Sequence, residues 1–198
     1  VYDPGKIGHM RDISMTETRN YAGQLLVAHP KLGDPNFRKT VILISAHSDE
    51  EGCLGVILNR PLGKTLGELN FHFSYSSLGS VPVYEGGPVQ ENELILAAWY
   101  WEPESRIFRL YFGIDEAKAR ELQMMQPEAE FRAFLGYAGW TQGQLEKELA
   151  EEAWIMSKIE EFALKNMEGG EKFWKKIILK ENPELGFLSD IPEDPSLN

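Results

Sequence analysis

The chain has 198 residues, with 31 Asp and Glu against 20 Lys and Arg, a formal net charge of -11. That length can bury a core without disulfides or metals. The acidity leaves no electrostatic footprint for phosphate backbones or anionic membrane surfaces, so neither direct nucleic-acid binding nor a membrane role is expected. The lone cysteine, Cys53, rules out an intramolecular disulfide and suits a reducing compartment, so the expected location is the cytoplasm.

Gly8-His9-Met10 reads as a cloning junction, so residues 1–9 are expected to be vector-derived and residues 1–19 to form an N-terminal arm. Residues 20–156 are expected to make one domain, with 157–198 packed on it as helices and a tail. No apolar run reaches the roughly 20 residues that span a bilayer.

Short apolar runs rich in branched residues at 25–28, 41–45 and 54–58 predict strands buried on both faces. Between the first two, HPKLGDPNFRK holds two Pro-containing turns and predicts a loop. SDEEGC, before the third, predicts a hairpin and hence antiparallel pairing. That third run stops at Asn59-Arg60-Pro61, after which Thr65 and Glu68 spell a capping box for a short helix. FHFSYSSLGS has no period and reads as loop. Strands follow at 81–84 and 94–99, separated by Gly86-Gly87-Pro88, and at 107–112, where one face is apolar and the other mixed.

Asp115 caps a predicted helix to residue 125, and 131–137 returns to extended character. Two further capping boxes, Thr141 with Gln144 and Ser157 with Glu160, predict helices to about 152 and from 157 to the Gly169-Gly170 pair, with Trp154 between them. A last helix over 171–180 carries Phe173, Trp174, Ile177 and Ile178 at helical spacing, and DIPEDPSLN reads as an extended tail. Together with Trp140, Trp154 and Phe162, its aromatic residues are expected to bury the late helices on the sheet, or in part to face a partner. Strands early, helices late and hairpins among the strands predict an α+β fold.

Four blocks, GQLLVAHPKLGDPNF, VILISAHSDEEGCLGVILNRP, VYEGGPV and GYAGWTQGQLEKELAEEAW, stand in an order and spacing that resemble the YqgE/AlgH family of bacterial proteins, over about residues 23–156. The resemblance implies a single α+β domain whose mixed, largely antiparallel sheet curls into a barrel-like body with flanking helices. It implies no established reaction. Members carry the label of transcriptional regulator, yet this chain offers no helix-turn-helix with a basic second helix, so regulation would run through a protein partner. The resemblance also implies a histidine ending the strand at LILAAW, where this sequence has none.

The candidate ligand-binding residues are His29, Asp34, His47, Asn59, Arg60, Gly86, Gly87 and Pro88. His29, Asp34 and His47 would suit acid-base work if the first two strands brought them together, but each also has a structural reading as a strand-end or turn residue. Their spacing matches no standard metal pattern, and no metal or cofactor is expected. Arg60, held extended by Pro61, presents a planar fork suited to carboxylate or phosphate; the alternative is an ion pair within this acidic chain, with Asn59 satisfying backbone groups. Gly86 and Gly87 allow close backbone approach by a ligand or by another strand. Cys53 has no motif that would make it a nucleophile. Two functions follow: a non-enzymatic binding or regulatory module that recognises a protein or small anionic ligand around Asn59-Arg60 and Gly86–Pro88, or an enzyme, hydrolase-like, with His29, Asp34, His47 and Arg60 in one cleft.

Overall fold

The structure, a computed structural model, describes residues 11–12, 20–102, 104–105, 107–160 and 169–188. Most of the expected N-terminal arm, the 161–168 part of the helix expected from 157, Phe162 and the C-terminal tail lie outside the described residues. In chain order come β1 (Arg11–Asp12), β2 (Gln24–Ala28), β3 (Val41–Ser48), β4 (Gly52–Ile57), β5 (Pro61–Thr65), α1 (Leu66–Leu69), β6 (Pro82–Glu85), β7 (Val89–Trp101) and β8 (Phe108–Phe112). Then follow α2 (Glu116–Met125), β9 (Glu130–Trp140), α3 (Gln144–Ala150), β10 (Trp154–Lys158) and α4 (Glu171–Glu181).

The branched apolar runs become β2, β3 and β4, and every residue of β4 is buried. SDEEGC closes the expected antiparallel hairpin, with Ser48 opposite Gly52. Asp115 caps α2 by accepting the Lys118 N–H at 2.7 Å, so a first-turn amide is satisfied. The Thr65–Glu68 box also forms, although its helix lasts one turn.

Three strands were not in the sequence reading: the two-residue β1, which pairs with β8 from within the expected N-terminal arm, and β5 and β10. β5 is an exposed edge strand without apolar alternation; it exists because it pairs with β6, and Pro61 is tolerated as its first residue. β10 replaces the start of the helix expected at Ser157. Ser157 sits opposite Leu25 in the ladder, and its hydroxyl donates to Glu181 Oε1 at 2.8 Å instead of capping a helix.

The strand order is β1-β8-β7-β9-β4-β3-β2-β10, with β6 beside β9 and β5 beyond β6. All pairings are antiparallel except β6 with β9. The sheet begins at β1 and ends at β10 without closing, so the expected barrel-like body is corrected to an open mixed sheet. The reason is that, among the described residues, β1 pairs only with β8 and β10 only with β2, so the two end strands do not meet. Within the sheet β9 changes neighbour along one edge, pairing at 133–135 with β6 and at 138–140 with β4, and between them Gly136 adopts φ +71°, a left-handed conformation that suits glycine.

One apolar core draws on both halves, from Leu26, Ile42 and Ile57 to Trp99, Leu110 and Phe134. The core is thus filled between the halves rather than by joining the sheet edges. α4 adds Phe173, Trp174, Ile177 and Ile178 to this core, and the Trp174 indole N–H donates to the Ala28 carbonyl at 2.7 Å. α2 covers the other face of the sheet, with Ala119 packed near Val83, Leu96 and Ala133. Among the described residues no helix is long and apolar enough to cross a membrane.

Candidate functional site

β2 and β3 are neighbours, but they run antiparallel with Val27 opposite Val41. His29, just past β2, therefore lies beside the start of β3, whereas His47 lies near its end, roughly 20 Å away at ~3.3 Å per residue. Arg60 follows β4, whose Ile57 faces Ile42, so it belongs to the His29 end. The expected single cleft of His29, Asp34, His47 and Arg60 is corrected by this geometry: His47 stands apart from the other three.

At the His29 end the candidates are engaged with the protein itself. His29 Nδ1 accepts the Lys31 N–H at 3.2 Å, and partial burial, with Lys31 adding to it, lowers its pKa. Asp34 Oδ1 accepts the Asn36 N–H at 2.8 Å, closing the turn before Pro35. Arg60 donates from Nη1 to Glu85 at 2.7 Å and from Nη2 to the Pro35 carbonyl at 3.3 Å.

Asn59 is buried. Its Oδ1 accepts the Val41 N–H at 2.8 Å, and its Nδ2 donates to the carbonyls of Lys39 at 2.8 Å and Gly170 at 3.0 Å. One amide thereby ties the start of β3 to the entry of α4. Gly86 donates to the Leu135 carbonyl at 2.7 Å and accepts from Ile57 at 2.9 Å, so it links β9 to β4. A Cβ on Gly86 would lie 2.1 Å from the Gly136 oxygen, and one on Gly87 2.3 Å from the Tyr137 carbonyl carbon. Pro88 is half-buried beside them.

At the other end His47 backs a cavity of about 330 Å3. It lies where the β3–β4 hairpin meets the turn between β9 and α3, brought together because Cys53 pairs with Trp140. The His47 side chain is only 5% exposed. The Tyr21 N–H donates to its Nδ1 at 3.5 Å, and its Nε2 lies 3.3 Å from Glu146 Oε1. The Tyr21 ring lies 4.6 Å from the imidazole. Across the opening, Gln144 Oε1 accepts both the Thr141 N–H at 3.0 Å and the Thr141 hydroxyl at 3.1 Å; the expected capping box is thus corrected to one side chain closing a turn, because α3 begins at Gln144 and its N-cap is Gly143.

Of the eight candidates, His47 alone lines this cavity. Sequence reasoning missed Tyr21, Asp49, Thr141 and Glu146 as its neighbours. The Thr141–Gln144 pattern marked the turn, but nothing local announces that β4 and β9 meet.

Cys53 sits on the cavity floor. Burial, with the Glu146 charge adding to it, pushes its thiol up to about 12. The thiolate is therefore negligible at neutral pH. Native protein at pH 8 is expected to leave Cys53 unmodified by an aromatic disulfide reagent, with one thiol appearing when guanidinium unfolds the chain. Rapid labelling of the native protein would show instead an open, ionised thiol.

A model of the AlgH-like family matches residues 25–185. The UPF0301 protein SCO2948 of Streptomyces coelicolor is 34% identical over 194 residues, 93% of this chain and 98% of its own. The UPF0301 protein BF2109 of Bacteroides fragilis is 33% identical over 181 residues, 89% of this chain and 90% of its own. Among solved structures, the solution structure of the AlgH protein from Pseudomonas aeruginosa superposes with a TM-score of 0.62 at 21% identity, covering 92% of this chain and 100% of its own. The crystal structure of protein DIP2367 from Corynebacterium diphtheriae gives 0.64 at 19%, covering 86% and 92%. At these identities the two structures speak for the fold alone. The names of these proteins state no reaction.

Proposed function

The chain belongs to the AlgH-like family, and from that premise we propose that it is a cytoplasmic binding protein rather than an enzyme, taking a small molecule into the cavity backed by His47. The observation that carries this reading is the company His47 keeps. Among the described residues its ring nitrogens meet a backbone N–H and a carboxylate, and no hydroxyl or thiol that it could activate. Cys53, the one thiol nearby, stays protonated. A concave site with hydrogen-bonding walls and, among the described residues, no nucleophile hydrogen-bonded to His47 supports recognition over reaction.

The rival position is Arg60, where an anion would have to displace Glu85. A second reading, contact with a protein partner, draws on Phe71 and Tyr75, 78% and 91% exposed and in edge-to-face contact.

A thermal-shift screen of metabolites separates these readings, run on wild type, Arg60→Ala and Gln142→Trp, the last placing an indole at the cavity's exposed rim. A ligand that binds only the folded state raises the midpoint. The expected result is a compound that stabilises wild type and Arg60→Ala and loses its effect in Gln142→Trp. Loss in Arg60→Ala alone would move the site to the Asn-Arg-Pro break. Conversion of the stabilising compound during prolonged incubation, followed by NMR, would overturn the non-enzymatic reading.

A further inference from the structure

We infer that the face built by α2 and the loop between α1 and β6 docks a second copy of this chain in a twofold contact; this rests on the protein-partner reading and is independent of the cavity. Leu69, Phe71 and Tyr75 are exposed there, with the two rings 6.0 Å apart, and Met124 on α2 is 77% exposed. The loop is fastened along α2 at two points. His72 Nε2 lies 2.7 Å from Glu116 Oε2, and the Ser77 hydroxyl donates to Gln123 Oε1 at 2.6 Å while Gln123 Nε2 donates to the Ser77 carbonyl at 3.2 Å. Met124, the next residue on the helix, flanks that second fastening on the solvent side. Within the loop, Asn70 Oδ1 accepts the His72 N–H at 3.0 Å and the Ser74 hydroxyl donates to the Gly67 carbonyl at 2.8 Å. The chain closes so tightly that a Cβ on Gly79 would lie 2.6 Å from the Phe73 oxygen. Phe71 and Tyr75 are thus held out into water by a backbone already fixed, and docking them costs little ordering entropy.

Charge and area both favour a second copy as the occupant. Residues 62–79 carry one Lys and one Glu, and 115–125 carry two cations and three carboxylates, so this face comes to -1 in a chain of net charge -11. Two copies can therefore meet here without the like-charge repulsion that the chain as a whole brings to association. A nucleic acid or an anionic lipid surface finds no positive charge in excess on this face. Leu69, Phe71, Tyr75 and Met124 together expose roughly 500 Å2, a contiguous apolar area of the size that marks an interaction site. A twofold contact sets each patch against its like, so roughly 1,000 Å2 leaves water before any rim is counted, the size at which a specific interface begins. The same symmetry lets the edge-to-face pair of one copy pack on that of the other.

Sedimentation velocity of the full chain from about 1 to 200 µM tests this at 0.15 M salt. The proteins are wild type, the double variant Phe71→Ser with Tyr75→Ser, the single variant Tyr75→Glu, and Phe187→Ser, which removes an exposed ring beyond α4 and outside this face. All the replaced rings are exposed, so every variant is expected to keep the far-UV circular dichroism of wild type. The expected result is a reversible equilibrium between one and two copies for wild type and Phe187→Ser, with a dissociation constant at least tenfold higher in both patch variants. A wild type that stays monomeric at 200 µM would overturn the second copy and leave the patch to a foreign partner. Dimers of equal strength in all four proteins would move the contact to another face and overturn the assignment. A mass that grows past two copies would overturn the closed twofold contact in favour of an open, head-to-tail one. None of these masses depends on what the cavity binds, so the two readings fail separately.

Discussion

Replacing Asn59 by alanine is expected to cost roughly 3–5 kcal/mol in denaturant unfolding, among the largest losses from any single side-chain truncation in this chain. The side chain is 2% exposed and makes three hydrogen bonds, all to backbone groups: it accepts from Val41 and donates to Lys39 and Gly170. Each bond is worth about 1 kcal/mol net, and stranding buried backbone groups adds a desolvation cost. Asn59→Asp sharpens the test, because it keeps the size and the acceptor but turns the donating edge into an oxygen facing two carbonyls. It should be at least as destabilising at pH 7.

Arg60, one residue on, should behave differently. Its ion pair with Glu85 joins side chains that are 25% and 47% exposed, so solvent screens it, and Arg60→Ala should lose no more than about 1 kcal/mol. An Asn59→Ala variant within about 0.5 kcal/mol of wild type would show that water replaces the amide, and the structural role assigned to it would fall. The polar pair that ends β4 thus divides into a buried tie and a surface ion pair.

The second large effect belongs to Gly86→Ala. The added methyl would sit 2.1 Å from the Gly136 oxygen and 3.0 Å from the Phe134 Cβ, and the nearer contact is backbone, which cannot swing aside. Relief requires β6 to move away from β9, against the 2.7 Å bond to Leu135 and the 2.9 Å bond from Ile57. A cost of about 3 kcal/mol or more is expected, by overpacking where nothing flexible can yield. Gly33→Ala is the matched control: a Cβ there meets nothing within 4 Å, and its effect should lie near zero or be slightly stabilising through the unfolded chain. Chemical denaturation of the two variants side by side decides the matter, and equal stabilities would mean that the β6–β9 approach is looser than these distances say.

The sequence was informative wherever a segment's own residues determine its conformation. The buried strands β2, β3 and β4 declare themselves by branched apolar runs, α2 by its Asp115 cap and α4 by apolar spacing. β5 and β10 were illegible because partners make them strands. PLGKT is exposed almost throughout, and WIMSK supplies the Ser157 that, with Glu160 beyond it, mimics a helix start while the strand's backbone pairs with residues 24–28. The candidate site divides the same way. His47 could be picked out as a polar residue at the end of a buried strand, but its separation from His29 follows from the direction of pairing. Glu146 joins it only because a ladder connects positions 53 and 140. The same long-range pairing explains Glu148, which accepts from the indoles of Trp140 and Trp154 at 2.8 Å each and so fastens β9 and β10 to α3.

The change of neighbour along β9 also bears on the order in which the protein can be made. β2, β3 and β4 can pair as soon as they are synthesised, and so can β7 and β8, but the strand that joins the two groups begins only at residue 130. Until then the inner edges of β4 and β7 are bare, each a template for a neighbouring nascent chain. β2 waits longer still for its outer partner, since β10 starts at residue 154. The last third of the chain therefore acts as the clasp of the first two, and a ribosome stalled before it would release two aggregation-prone half-sheets.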